Sequence, residues 1–221
     1  MNAPLVAQAI NLLAALMLLI AFAMLAQRRL LRLIHLFALQ GAVLTVNTAV
    51  VAATLAQGHL WYSVGLNLVL KVVVLPMILI RLVDRLDLRR DAESVGNLPL
   101  IMLVAVVLVI LSFNVALPIS ELAGTITRGT LGIAMASVLI AFLMMITRRK
   151  AVAQVVGFLA MENGLFFAAT SATYGMPMVV ELGIALDVLV GTFIFGVFFF
   201  QIRETFDSLD TRNLENLKDR E

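Results

Sequence analysis

The sequence predicts an all-α integral membrane protein with seven transmembrane helices. Hydrophobic residues make up 62% of the 221 residues and charged residues only 14%, and the mean hydropathy is +1.05. This composition is too apolar for an ordinary soluble domain. The chain also contains apolar runs of about 17 to 25 residues, the length that crosses a bilayer as a helix. These runs lie at residues 6–27, 33–56, 62–80, 98–117, 129–147, 151–173 and 178–202.

Charged and polar residues separate these runs. The first run has no basic segment ahead of it and is followed directly by Arg28, Arg29 and Arg32. It is therefore expected to be a retained span and not a cleaved signal peptide. His59 lies in the loop between the second and third runs, and the third run ends before Arg81.

The positions of Lys and Arg predict how the spans are oriented. Two of the 16 basic residues lie apart from the rest, because Arg128 faces the other side and Lys71 lies inside a span. Basic loops are retained in the cytoplasm, which puts the N-terminus outside and the C-terminus in the cytoplasm. The other 14 basic residues lie at 28–32, 81–97 and 148–150 and in the tail from residue 203.

The chain is expected to form a single membrane domain, residues 1–221, without a soluble domain. Its predicted parts are a three-helix N-terminal half at 1–90, a linker and fourth helix at 91–128, a second three-helix half at 129–202, and a cytoplasmic tail at 203–221.

A weak internal repeat of three helices, one linking helix and three helices is also predicted. Arg28 and Arg29 precede Arg148 and Arg149 by 120 residues. The same offset relates Asn67 to Asp187, and each of these two residues lies on the second helix after its arginine pair.

Three ionisable residues lie deep inside apolar spans: Lys71, Glu162 and Asp187. At about 1.5 Å per helical residue, each lies roughly 14 to 16 Å from one end of its span, at the middle of a hydrocarbon core about 30 Å thick. Charged groups at that depth are costly and usually belong to an ion or proton path. The sequence therefore predicts a relay at the membrane midplane, in which Glu162 and Asp187 accept and release protons and Lys71 tunes or extends the relay.

Neighbouring residues support an interior position for these groups. Asn163 follows Glu162 in the segment MENG, and Asn67 stands one turn before Lys71, so both faces carry a second polar group. A fixed structural ion pair is the alternative interpretation of such carboxylates.

The predicted seventh span has a glycine stripe around its carboxylate. Gly183 and Gly191 stand four residues before and after Asp187, on the same helical face. Small residues allow a second helix to approach closely in a membrane. We therefore expect these glycines to pack against another helix, with Asp187 facing protein.

Several kinds of chemistry are not expected. The chain has no cysteine, which excludes iron-sulfur clusters, thiolate metal sites and disulfides within it. His35 and His59 lie near opposite ends of one apolar stretch and are too far apart to share a metal. No cofactor, metal site or catalytic group is predicted. Nucleic-acid binding is not expected either, because the basic residues lie in loops between spans.

Three segments of the sequence resemble component E of hydrogenase-4. They are GFLAMENG on the sixth span, ELGIALDVLVGTFIFGVFFF on the seventh and LDTRNLENLK in the tail. The resemblance covers nearly the full length and includes Lys71 before VVVLP on the third span.

The part from about Gly129 to Lys218, with its three helices, is more distantly similar to complex I subunit K and to the C component of Mrp-type cation/proton antiporters. Asp187 falls where subunit K carries its second membrane glutamate. The first glutamate of subunit K corresponds to Leu159, whereas this chain has its carboxylate one turn later, at Glu162.

The resemblance implies a non-catalytic membrane subunit of a redox-linked complex of the hydrogenase or formate hydrogenlyase type, in a prokaryotic cytoplasmic (inner) membrane. The implied partners are membrane proteins similar to the antiporter-like and H-type components of complex I and, indirectly, a cytoplasmic redox or hydrogenase-like module. Buried carboxylates would then contribute to proton or cation translocation. Two alternatives stay open: a subunit of an Mrp-like cation/proton antiporter or a stand-alone secondary transporter, and a purely structural assembly subunit.

Overall fold

A computed structural model describes residues 3–55, 58–85, 97–123 and 128–173, together with Gly191 and Gly196. Over these ranges the chain is helical and contains no β-strand. Six helical stretches in them are long and apolar enough to cross a membrane. The predicted seventh span at 178–202 and the tail at 203–221 lie outside the described residues, apart from the two glycines.

Six of the predicted spans are confirmed as membrane-length helices. The third is longer than predicted, because it runs without a break through two α-helices and a π-helical segment between them. The elements are α1 (Ala3–Ala26), α2 (Leu30–Leu55), α3 (Gly58–Asn67), the π-helical segment (Leu68–Val74), α4 (Leu75–Arg85), α5 (Leu98–Ala123), α6 (Arg128–Thr147) and α7 (Ala151–Thr173).

Two helical hairpins lie side by side at the centre of the fold. The α1–α2 hairpin packs on the α6–α7 hairpin, with α1 against α6 and α2 against α7. The third span packs on α2, and α5 packs mainly on α6. As a result, α2 contacts α1, the third span and α7.

Apolar side chains from all four central helices fill the core. Met17 of α1, Phe37 of α2, Ile140 of α6 and Phe167 of α7 are each fully buried. In a bilayer the lipid tails are as apolar as these side chains, so close packing and hydrogen bonds hold helices together. Large apolar side chains on α5, by contrast, are exposed. They are Leu100, Leu103, Val107, Ile110 and Leu111.

Glycines allow α6 and α7 to approach closely. A Cβ atom at Gly164 would lie 2.9 Å from Cγ2 of Val138 and 3.2 Å from its backbone nitrogen. A Cβ atom at Gly157 would lie 2.8 Å from Cγ of Met145. Small residues at such contacts are typical of helix pairs within membranes, so Gly157 and Gly164 fix the spacing of this hairpin.

Arg148, between α6 and α7, ties the two hairpins together. Its side chain is buried, and Nη2 donates hydrogen bonds to the carbonyl oxygens of Met24 at 3.0 Å and Leu25 at 2.9 Å. These carbonyls belong to the last turn of α1, where the helix offers them no i+4 donor; the backbone N–H of Gln27 also donates to the carbonyl of Met24, at 3.2 Å. Burial lowers the pKa of Arg148 to about 10, so the guanidinium stays charged at neutral pH. Arg148 is thus a helix cap that joins the two hairpins.

We expect Arg148→Met to lower the stability of the fold. Hydrogen bonds from a charged group contribute about 1.5 to 3 kcal/mol each, and two carbonyls at the end of α1 would lose them. Arg28→Met is the matched control, because Arg28 holds the corresponding position in the predicted repeat but is exposed. Thermal unfolding of the purified protein in detergent measures both variants. Equal unfolding midpoints would contradict the capping role.

Candidate functional site

A salt bridge joins the third span to α7 at the centre of the fold. Nζ of Lys71 donates a hydrogen bond to Oε1 of Glu162 at 2.9 Å. The two side chains are 4% and 12% exposed. Residues that are 91 positions apart in the sequence, both predicted to lie at the membrane midplane, are therefore in direct contact.

Lys71 lies on the π-helical segment, just before a proline. The backbone N–H of Leu75 bonds to the carbonyl of Leu70, five residues earlier, as in a π-helix. Pro76 has no N–H to donate, and its ring would press on the carbonyl one turn earlier in a regular α-helix. A wider turn before Pro76 relieves that crowding, and it places Lys71 on a locally irregular stretch of the span. Such π-helical turns are frequent at functional sites.

Gly41 on α2 makes room for the backbone of this segment. A Cβ atom at Gly41 would lie 3.1 Å from the carbonyl oxygen of Lys71 and 3.2 Å from its Cβ. Nearly all Cβ atoms in proteins keep a larger distance from their neighbours. The glycine therefore brings the third span close to α2 at the level of Lys71.

The ammonium group of Lys71 also contacts an aromatic ring. Nζ lies 5.0 Å from the ring centroid of Phe166, a distance at which the ring quadrupole attracts a cation. Phe166 follows Glu162 by one helical turn, so both partners of Lys71 project from the same face of α7. The site holds the cation with one carboxylate and one ring.

Further buried polar side chains lie between α2 and α7. Nδ2 of Asn163 donates to Oε1 of Gln40 at 3.3 Å, and Nδ2 of Asn47 donates to Oγ1 of Thr170 at 3.5 Å. Both contacts advance by seven residues on each helix, so α2 and α7 run in the same direction.

The supporting residues that the sequence predicted have different positions. Asn163 is buried beside Glu162 and bonds to Gln40 on α2. Asn67 is buried one turn before Lys71, but no hydrogen bond between described residues joins it to the salt bridge. Asp187 and Gly183 lie outside the described residues, and Gly191 has a helical backbone with no described atom within 4 Å of an added Cβ atom. The roles predicted for these residues therefore stay predictions.

The sequence analysis missed Gln40, Gly41, Phe166 and Thr170. A signal was available for some of them, because Gln40 and Asn47 on α2, like Asn163 and Thr170 on α7, are polar residues seven positions apart. That spacing puts each pair on one helical face. Among the described residues, no group of three His, Asp or Glu side chains is placed to hold a metal ion.

Curated proteins with similar sequences fall into two groups. The chain is 34% identical to the uncharacterized protein Rv0085 of Mycobacterium tuberculosis over 200 residues, which are 87% of this chain and 88% of that protein. It is 24% identical to hydrogenase-4 component E of Escherichia coli K12 over 182 residues, 82% of this chain and 84% of that protein. The same values hold for component E of Shigella flexneri. No family model matches the chain, and no solved structure matches it significantly.

We expect Gly41→Ala to destabilise the protein because the new methyl group would press on the backbone at Lys71. Overfilling a packed contact of this kind costs about 1 to 3 kcal/mol. Gly65→Ala is the matched control, since Gly65 lies in α3 with nothing within 4 Å of an added Cβ. Both changes bring the same gain in helix propensity, so their difference in thermal unfolding isolates the contact. A Gly41→Ala variant as stable as Gly65→Ala would refute the close approach.

A double-mutant cycle tests whether Lys71 and Glu162 stabilise one another. Removing one member of a buried ion pair costs about 3 to 5 kcal/mol because the other charge stays without a partner. Lys71→Met and Glu162→Gln should each lower the unfolding midpoint, and the variant with both changes should be more stable than either single variant. Losses that simply add in the double variant would show that the two residues are not coupled.

Proposed function

The chain belongs to the family of the uncharacterized protein Rv0085, and we propose that it is a non-catalytic membrane subunit of a redox-linked, hydrogenase-like complex. Its similarity to hydrogenase-4 component E over most of the chain supports this assignment. Within the complex, Lys71 and Glu162 would take part in moving protons. The proposed orientation puts the N-terminus outside and the tail in the cytoplasm, following the basic loops.

The observation that carries the proton-translocation role is the Lys71–Glu162 salt bridge. Burying two charges in hydrocarbon surroundings costs more than apolar side chains of similar volume would. The fold therefore has no need of this pair for stability alone. A lysine and a carboxylate 2.9 Å apart can, however, gain or lose a proton, and either change alters the charge of the pair.

Proton arrival at Glu162 would alter the pair in a defined way. Protonation removes the negative charge from the carboxylate, so the attraction that holds Nζ of Lys71 is lost. The ammonium group is then an uncompensated cation beside Phe166, and it becomes favourable for Lys71 to reach another acceptor or to release its own proton. Asp187 is the acceptor that we propose, because the sequence puts it at the same depth. The next carrier would belong to a neighbouring subunit.

The proposed partners are membrane proteins similar to the antiporter-like and H-type components of complex I, with a cytoplasmic redox or hydrogenase-like module coupled through them. The similarity to hydrogenase-4 component E supports membership of such an assembly. Residues 129–202 would form the subunit K-like half of the chain, and the tail at 203–221 would dock on a neighbour. Electron transfer would take place in the partner proteins.

A cation/proton antiporter, or a stand-alone secondary transporter, is the second candidate function. The π-helical segment before Pro76 favours it, because interrupted helices often form the substrate sites of secondary transporters. The subunits that co-purify with the chain discriminate the two functions. A hydrogenase-like large subunit supports the first candidate, and a protein that transports when purified alone supports the second.

We expect Glu162→Gln, alone or combined with Asp187→Asn, to abolish proton translocation while the complex still assembles. Glutamine keeps the shape of the side chain but has no titratable group. Asp84→Asn is the matched control, because it removes an exposed carboxylate from the same end of the molecule as the basic loops. Proton uptake and electron transfer are measured in vesicles, per assembled complex. Full translocation by Glu162→Gln with Asp187→Asn would overturn the proposal and leave a structural role for the pair.

A further inference from the structure

Two pairs of buried polar side chains form a ladder between α2 and α7. Gln40 and Asn163 make one rung, and Asn47 and Thr170 make the other. All four side chains are at most 1% exposed. Interhelical hydrogen bonds of this kind hold helices together within membranes, but such bonds alone do not account for the polar atoms that these side chains leave without a partner.

The ladder starts at the salt bridge and leads toward one side of the membrane. Asn163 directly follows Glu162, so the first rung adjoins the salt bridge. The second rung lies seven residues further along each helix, about 10 Å at the helical rise. Thr170 stands less than one turn before Thr173, the last residue of α7. That end of α7 is opposite to the end at Arg148.

The rungs leave polar atoms that no described residue satisfies. Nε2 of Gln40, Oδ1 of Asn163 and Oδ1 of Asn47 are buried and have no hydrogen-bond partner in the described part of the chain. An unsatisfied buried polar group costs about 1 to 3 kcal/mol. Proteins avoid that cost with ordered water, which typically bonds to two to four polar groups. Donors and acceptors in successive rungs are therefore suitable binding positions for a file of water.

On the other side of the salt bridge the same region is apolar. Five side chains of α2, α4 and α7 that lie between the salt bridge and the basic loops are buried and apolar, and they offer no polar atom to water. They are Phe37, Leu75, Leu79, Val156 and Leu159, each at most 2% exposed. Water needs two to four polar partners to bind inside a protein, and the side chains of this apolar layer provide none.

We propose that the ladder is a water-binding path that gives Glu162 access to the membrane side opposite Arg148, while the apolar layer closes the side of the basic loops. Water bound at Gln40, Asn163, Asn47 and Thr170 exchanges protons between Glu162 and the membrane side opposite Arg148. The inference deepens the proposed function and rests on it for the proton, whereas the hydration of the ladder is measurable by itself. Access from one side only makes the direction of proton exchange at Glu162 definite.

Cysteine labelling in native membranes tests the path. The natural chain has no cysteine, so Thr170→Cys and Asn47→Cys each introduce its single thiol. A charged, membrane-impermeant methanethiosulfonate reagent is added from the side opposite Arg148. Ala52→Cys is the matched control, since Ala52 of α2 is fully buried in an apolar cluster with Val51 and Leu60 and lies closer to the end of α2 than Asn47. Because the thiolate is the reactive form and apolar surroundings suppress it, the ladder cysteines should react at least about tenfold faster than the control.

Val156→Cys, in the apolar layer, should stay unlabelled when the reagent is added from the side of the basic loops. Thr170→Cys nearly preserves side-chain volume, so it decides the question if Asn47→Cys is not recovered in the membrane. Labelling of Thr170→Cys no faster than that of Ala52→Cys would overturn the path, even if Glu162→Gln abolishes proton translocation. Rapid labelling of both ladder cysteines, together with full translocation by Glu162→Gln, would keep the water path and reject the proposed function.

Discussion

The salt bridge between Lys71 and Glu162 constrains most of the described bundle. It joins a span from the N-terminal half to a span from the C-terminal half, and the two contribute one charge each. Neither charge is tolerable alone in an apolar surrounding, so the third span and α7 have to keep their relative height in the membrane. The ring of Phe166 adds a second contact to the ammonium group. Together, the salt bridge and the ring contact fix the position of the third span relative to α7.

The position of α2 follows from the same constraint. Two consecutive residues of α2 contact two of its neighbours. Gly41 leaves room for the backbone of the third span at Lys71, and Gln40 accepts a hydrogen bond from Asn163 on α7. A side chain at residue 41 would hold the third span away, and the ammonium group would then have to reach further to meet Glu162. The close packing of the third span on α2 is therefore also what allows Lys71 to reach Glu162.

Composition and run length were sufficient to predict six membrane-length helices, because a bilayer imposes a minimum length and apolar character on each helix. The common depth of Lys71 and Glu162 could also be counted from sequence, since the helical rise is constant. Sequence could not predict which helices are neighbours. The hydrogen bonds of Gln40 and Thr170 depend on α2 lying beside α7, which the sequence does not specify. In the sequence, nothing distinguishes Phe166 from the other apolar residues of its span. The π-helical segment before Pro76 could not be predicted either. A proline can bend, break or widen a helix, and the packing of neighbouring helices decides among these outcomes.

The cap that Arg148 provides also has a consequence for biogenesis. The carbonyl of Leu25, in the last turn of α1, obtains its partner from a residue 123 positions later in the chain. At a synthesis rate of about 5 to 20 residues per second, α1 would wait roughly 6 to 25 s after emerging from the ribosome before that guanidinium exists. During this interval the carbonyl of Leu25 must be hydrated or held by the insertion machinery, whereas that of Met24 already has the backbone N–H of Gln27 as a partner. The capping of α1 by Arg148 is therefore a late event in synthesis, and a chain truncated before residue 148 would reach the membrane without this cap.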